Sequence, residues 1–300
     1  MKKRKMKMGI SDKTFDRILV IICVILLITF LYPMIYVLSS SFSSGEAVSS
    51  GKVFLWPVDF SLFGYQWVFK NPLIWSGYKN SIIYTIGGTI VQVLMTICLA
   101  YPLSRKNYQG RGFMLKFLTA SMLFGGGLIP TFIIVCRLGF FNNPWWMVLS
   151  GAVSIGNAIM MRTYFQSNIP NELLESAKMD GISDYGYLIK IVLPLSKAII
   201  SVIALYAVVG KWNSYMTPLL YLRNKEYWPL QMILNEMLNK TNIDSTQMSA
   251  ADQNLLDGMQ KSVDAVKYAL IVVAVVPMLA IYPFVQKFFE KGVTMGSLKG

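Results

Sequence analysis

Six stretches of this chain, near residues 18–38, 81–103, 113–136, 144–161, 198–217 and 267–286, each hold roughly the 20 apolar residues that a helix needs to cross a bilayer. Nothing else in the sequence restricts the fold as much. In hydrocarbon every backbone N–H and C=O must be satisfied within the protein, and a continuous apolar run of this length does so as a helix. The expected fold class is therefore all-α: a polytopic membrane protein with six transmembrane helices. Charged residues make up 14% of the chain, against roughly 25% in a soluble domain. The first apolar stretch follows the basic run Lys2, Lys3, Arg4, Lys5, Lys7, as in a secretory signal. It is too long for one, and no small-residue cleavage site follows, so it reads as an uncleaved first helix. Residues 1–17 then form a basic N-terminus, and residues 18–300 the membrane domain.

Lysine and arginine set the orientation. With a cytoplasmic N-terminus, the inner segments carry the N-terminal basic residues, then Arg105, Lys106, Arg111 and Lys116, then Arg162, Lys178, Lys190 and Lys197, then Lys287, Lys291 and Lys299. These are 18 of the 28 basic residues, although the outer segments are longer. The positive-inside rule thus places both termini and the insert 167–197 in the cytoplasm of a multi-pass cell-membrane protein. It also accounts for the net charge of +13 as basic runs at an anionic membrane surface, without nucleic acid as a partner.

Several absences narrow the function. The chain has no histidine, so the commonest general base and metal ligand is missing, and every Ser/His/Asp or Cys/His arrangement with it. Cys23, Cys98 and Cys136 lie far apart inside apolar spans and suggest neither a disulfide framework nor a metal site. All 15 acidic residues fall outside the six spans, whereas carriers driven by H⁺ or Na⁺ usually keep a carboxylate within the membrane. No GxxxxGK[ST] phosphate loop occurs. A non-catalytic membrane subunit, with ATP hydrolysis supplied by another chain, fits this set.

The polar insert SNIPNELLESAKMDGISDYGYLIKIVLPLSK, residues 167–197, points to where such energy enters. Pro170 suits a first helical turn, and Glu172 and Glu175 suit the positive end of a helix dipole. Leu173, Leu174 and Ala177 fall on one face, flanked by Ser176 and Asp180, while Glu175 points elsewhere. Gly181 offers the left-handed residue that ends a helix, and Ser183 with Asp184 can cap a second helix that Pro194 interrupts near Leu193. The same periodicity also fits an amphipathic helix lying on the lipid surface.

The insert resembles the cytoplasmic EAA loop of permease subunits of ATP-binding-cassette importers. The pattern appears as Glu175, Ser176, Ala177, three further residues to Gly181, and then Ile191, Leu193 and Pro194. Ser176 stands for the first alanine, Ile182 follows the glycine where a small residue is usual, and Ala198 replaces a later proline. The six-span layout, the stretch WNSYMTPLLYL from Trp212 and the closing QKFFEKGVTMGSLKG extend the likeness over nearly the whole chain. They are similar to MalG-type sugar permeases, binding-protein-dependent transport inner membrane components, and most similar to the LplC/YtcP-type branch.

That resemblance implies a type I importer permease fold and a set of partners. These are a second homologous permease, two ABC ATPase subunits holding ATP and Mg, and an extracellular sugar-binding lipoprotein or periplasmic binding protein that delivers an oligosaccharide. It makes Glu175, Ser176, Ala177, Asp180, Gly181, Ile191, Leu193 and Pro194 the ATPase-coupling residues, with no cofactor or metal on this chain. It adds a C-terminal ATPase contact at Lys291, Gly292 and Met295; a solvated tail at the membrane surface is the simpler alternative. The outer segments, residues 39–79 and 213–266, are expected as an aromatic interfacial stretch and as a loop that either probes the binding protein or is merely exposed. For the sugar pathway the spans offer Tyr84, Gln92, Asn157, Tyr206, Trp212 and Asn213, polar side chains that serve equally as glue between helices. Gly125, Gly126, Gly127 and Pro130 mark a break in the third span, and Pro277 one in the sixth. A permease for another polar solute, such as a polyamine or phosphonate, keeps the same architecture, and an ion-coupled carrier is a third class.

Overall fold

A computed structural model describes residues 10–241, 264–281 and 283, and every regular element among these residues is helical. In chain order the helices are α1 (Ile10–Ser41), α2 (Gly45–Ser49), α3 (Phe63–Lys70), α4 (Pro72–Ser104), α5 (Arg111–Leu123), α6 (Leu128–Arg137), α7 (Trp145–Leu149), α8 (Ile155–Asn168), α9 (Asn171–Met179), α10 (Asp184–Tyr187), α11 (Leu193–Leu195), α12 (Lys197–Trp212), α13 (Met216–Tyr221) and α14 (Leu230–Thr241). A further helix, α15, spans Asp264–Ile281. The described residues fall into two compact units, residues 10–71 with 237–241 and 264–274, and residues 72–236 with 275–281 and 283.

In the first unit α1 is 32 residues long, about 48 Å at 1.5 Å per residue, and its apolar side chains from Phe15 to Leu38 are largely exposed. A helix of that length and surface belongs in lipid or against another subunit. Its C-terminal serines fold the next segment back. Ser39 Oγ donates to the Leu55 carbonyl at 2.7 Å, Val58 N–H donates to Ser43 Oγ at 3.0 Å, and Ser41 Oγ shares a hydrogen bond with Tyr65 Oη at 2.8 Å. Within this aromatic segment Phe42 stacks on Phe60, while Phe54, Trp56, Phe60 and Trp75 keep most of their surface exposed. Near it, Tyr36 meets Tyr268 edge-on.

The second unit is organised on α4, 33 residues long, against which α12, α8 and α7 pack. One cluster joins Ile97 and Ala100 of α4 to Met161 and Phe165 of α8 and to Ile199 and Ile203 of α12. Another joins Tyr84 to Val135, Met147, Val148 and Tyr221. Polar bonds fix the far side: in the interior Leu230 N–H donates to Ser81 Oγ at 2.8 Å, and nearer the surface Asn80 donates to the carbonyls of Glu226 and Trp228.

Several expected spans are reshaped. Among the described residues three helices, Thr14–Ser41, Pro72–Ser104 and Asp264–Ile281, are each long and apolar enough to cross a membrane, and two bent helix pairs are so when each is taken as one span. The stretch 113–136 breaks at its glycines as anticipated, but α5 and α6 meet at 113°, so it is not one line through a bilayer. The stretch 144–161 splits into α7 and α8, and α8 runs on to Asn168. The fifth stretch ends at Trp212 rather than 217, and an 80° bend separates α12 from Asp184–Leu195. Pro277 makes no break: α15 is continuous through it, since a proline removes only one N–H from the ladder and neighbouring groups can satisfy the freed carbonyl. Much of 213–266 is helical rather than loop, in α13, a 3₁₀ turn Lys225–Tyr227 and α14, while the polar stretch 242–263 lies outside the described residues.

Candidate coupling site and pathway residues

The insert folds as helix, turn and helix. Pro170 stands at the N-cap of α9, one position earlier than expected, with Glu172 in the first turn and Lys178 in the last. Gly181, at φ +72°, ends the helix: its N–H donates to the Lys178 carbonyl at 3.1 Å, and the Ile182 N–H to the Ala177 carbonyl at 2.9 Å. This pair of bonds satisfies carbonyls that a helix end otherwise leaves open, and only a residue without Cβ adopts the turn cheaply. Ser183 caps α10, its Oγ accepting from Gly186 N–H at 3.2 Å. A π-helical turn, Leu188–Val192, leads to α11, with Pro194 at its start.

Burial divides the coupling residues in two. Ala177 is buried, and Ile191 and Leu193 pack on the cluster that contains Tyr187, Val192, Ile97 and Ile203. Glu175, Ser176, Asp180, Gly181 and Pro194 are exposed. The buried face of α9 is narrower than its periodicity suggests: Leu174 and Ala177 pack inward, while Leu173 remains 39% exposed. Met179 and Tyr185 are 83% and 81% exposed, so the outward face combines carboxylates with large apolar side chains. Sequence reasoning passed over both. For Met179 the available signal was a large apolar residue two positions before the terminating glycine.

The insert is rooted in the end of α4. Tyr101 Oη donates to the Asp184 carbonyl at 3.2 Å, and the Arg105 guanidinium lies 4.6 Å from the Tyr101 ring and 4.9 Å from the Tyr187 ring. From α8, Arg162 Nε donates to the Leu103 carbonyl and Gln166 Nε2 to the Ser104 carbonyl, closing the C-terminal end of α4. Between α4 and α9 runs a cleft of about 580 Å³ lined by Tyr101, Arg105, Lys106, Leu174, Glu175 and Lys178, among others. Behind its exposed face, α9 packs through Leu174 and Ala177 on side chains of both α4 and α12.

The pathway candidates scatter. Tyr84 is buried and donates to the Tyr227 carbonyl at 3.0 Å, and Trp212 is buried with its ring 6.4 Å from that of Tyr78. Gln92 and Asn157 are half-buried; Tyr206 of α12 and Asn213, the residue that caps the end of α12, are exposed. Missed in the sequence was Lys211 of α12, whose Nζ donates to the carbonyls of Met147, Val148 and Ser150. Lys291, Gly292 and Met295 lie outside the described residues. No group of three or more Cys, Asp or Glu side chains placed to hold a metal occurs among the described residues.

Comparison with known proteins places this geometry. Residues 74–295 match the family described as "Binding-protein-dependent transport system inner membrane component". The chain is 38% identical over 290 residues to the polygalacturonan/rhamnogalacturonan transport system permease protein YtcP of Bacillus subtilis (strain 168), covering 97% of this chain and 100% of the relative. It is 39% identical over 271 residues to protein LplC of the same organism, covering 89% of each. Its fold matches a chain in the crystal structure of a bacterial ABC transporter involved in the import of the acidic polysaccharide alginate, with a TM-score of 0.84 and 33% identity, covering 95% of this chain and 100% of that one. The chain belongs to the family of binding-protein-dependent transport system inner membrane components.

Proposed function

We propose that this chain is the transmembrane permease subunit of an ATP-driven, binding-protein-dependent importer of oligosaccharides. It forms half of the translocation pathway, with both termini and the α9–α10 insert on the cytoplasmic side of the cell membrane. A second permease completes the pathway, an extracellular binding protein delivers the sugar, and two ATPase subunits hold ATP and Mg. The chain itself carries out no catalysis. The observation that carries this reading is the capped helix α9, whose outer face offers Glu175, Ser176, Asp180 and Met179 while its inner face is locked by Leu174 and Ala177 to α4 and α12. The names of the relatives, for polygalacturonan/rhamnogalacturonan and for acidic alginate, favour a carbohydrate over a polyamine or phosphonate, and an acidic one over a neutral one.

Mechanistically, α9 sits in a cleft of the ATPase, with Glu175 paired to a basic group there. Closing of the ATPase dimer on ATP displaces the helix. Through Ala177, Tyr187 and Val192 the displacement reaches Ile97 of α4 and Ile203 of α12, and the rigid elements tilt between inward- and outward-facing arrangements. The tail around Lys291, Gly292 and Met295 supplies a second ATPase contact. Cross-linking tests the docking: with Cys23, Cys98 and Cys136 replaced, single cysteines at positions 175, 176 and 180 are expected to cross-link to cysteines placed in the ATPase cleft. An intact complex that forms no such cross-link from any of the three positions overturns the assignment.

A further inference from the structure

The stripe that buries α12 steps through Ile199, Ile203 and Ala207 at four-residue intervals, and the next position on it is Lys211. A helix face that has packed three apolar side chains thus ends in a cation. Lys211 lies about 21 Å along α12 from Lys197 at 1.5 Å per residue. With the insert cytoplasmic, that depth is in the outer part of a hydrocarbon core roughly 30 Å thick. A lysine near a helix end commonly snorkels outward to the headgroups. This one turns inward instead.

Its ammonium donates to the carbonyls of Met147 at 2.8 Å, Val148 at 3.3 Å and Ser150, with Ser150 Oγ at 3.4 Å. These carbonyls are freed where α7 ends, at the break in the fourth stretch. Gly88 of α4 makes room for the side chain: a Cβ there would stand 2.6 Å from Lys211 Cε and 3.0 Å from its Nζ. All the acceptors are neutral. The one ion pair among the described residues is Lys225–Glu236, so no carboxylate there compensates Lys211. Charged side chains at membrane depth face a bundle interior or a water-lined path, and irregular backbone such as residues 150–154 persists only in the same places.

We propose that Lys211 is the charge in this half of the pathway that selects acidic oligosaccharides, by attracting a uronate carboxylate. The proposal rests on the carbohydrate reading above and narrows it to one substrate class. Backbone carbonyls hold the ammonium in place and no carboxylate among the described residues pairs with it, so a passing carboxylate meets a cation without an anionic partner. Ser150 Oγ, among the longest of the four contacts, is the acceptor the carboxylate replaces to form a charge-assisted hydrogen bond. A neutral sugar gains no such bond.

The test uses the complete importer in proteoliposomes, with binding protein saturated by trigalacturonate or by its neutral methyl ester. Lys211→Gln, which keeps a donor for the carbonyls, is expected to slow trigalacturonate uptake at least about tenfold, as for loss of a hydrogen bond to a charged group, and to leave ester uptake within about twofold. Gly88→Ala, which displaces the ammonium without removing it, is expected to give the same selective loss and serves if Lys211→Gln does not assemble. Equal losses for both substrates, or none for either, overturn the proposal in favour of a purely structural lysine. A wild-type importer that carries only neutral oligosaccharides overturns it and leaves the carbohydrate reading standing. One that carries no oligosaccharide overturns both.

Discussion

Gly181 offers the sharpest perturbation, because its effect separates into one cause. A Cβ built there meets nothing within 4 Å, so substitution creates no clash with neighbours. What remains is the backbone, at φ +72°, where an L-residue costs roughly 1–2 kcal/mol. That cost falls on the turn holding the Gly181 and Ile182 N–H groups to the end of α9. A change of 1–2 kcal/mol is about a 5- to 30-fold shift toward the frayed form. For Gly181→Ala in the permease, hydrogen exchange at the amides of residues 181 and 182 should accelerate by that factor. Gly181→Asn should do less, since asparagine tolerates the left-handed region, and Gly181→Val more. ATPase stimulation by loaded binding protein should fall in the same order, Gly, Asn, Ala, Val, with the protein still in the membrane and assembled. Unchanged exchange with lost stimulation would mean that the residue acts by contact and not by shaping the turn. Unchanged values of both would refute the reasoning outright.

Other outcomes follow from the same geometry. Glu175→Lys, an exposed change with no cost to packing, should leave assembly intact and uncouple transport from ATP hydrolysis, read as ATPase turnover without uptake. Ser81→Ala leaves the buried Leu230 N–H without its acceptor and should destabilise the permease by about 1–3 kcal/mol in thermal unfolding. Breaking the Lys225–Glu236 pair, whose lysine is half exposed, should change stability by at most about 1 kcal/mol in the same assay. Deleting the residues after Lys291 should reduce ATPase coupling; unchanged coupling would make the tail a mere surface segment.

How much of this was legible depended on how local each signal is. Gly181 and Ser183 announce a helix end and a cap within a few residues of chain, and both were found as expected. The break at Gly125–Gly127 was equally visible, but its 113° angle depends on what α5 and α6 pack against, which no window of sequence contains. The same holds for Arg105, which reaches Tyr187 across 82 positions, and for Arg162 reaching Leu103. Pro277 misled because a proline in a membrane helix is tolerated where a soluble helix would break. Lys211 is hidden for the same reason as Arg105: a lone cation in an apolar stretch carries no local sign of the Met147 and Ser150 carbonyls it meets more than 60 positions away.

In the proposed function, energy enters through α9 from ATP hydrolysed by a partner. This route is tested most directly by oligosaccharide uptake into proteoliposomes holding the complete importer, with ATP supplied and the ion gradient collapsed, then with the gradient present and ATP withheld. Uptake is expected in the first condition and none in the second. Uptake that survives ATP removal and stops when the ion gradient is collapsed would contradict it.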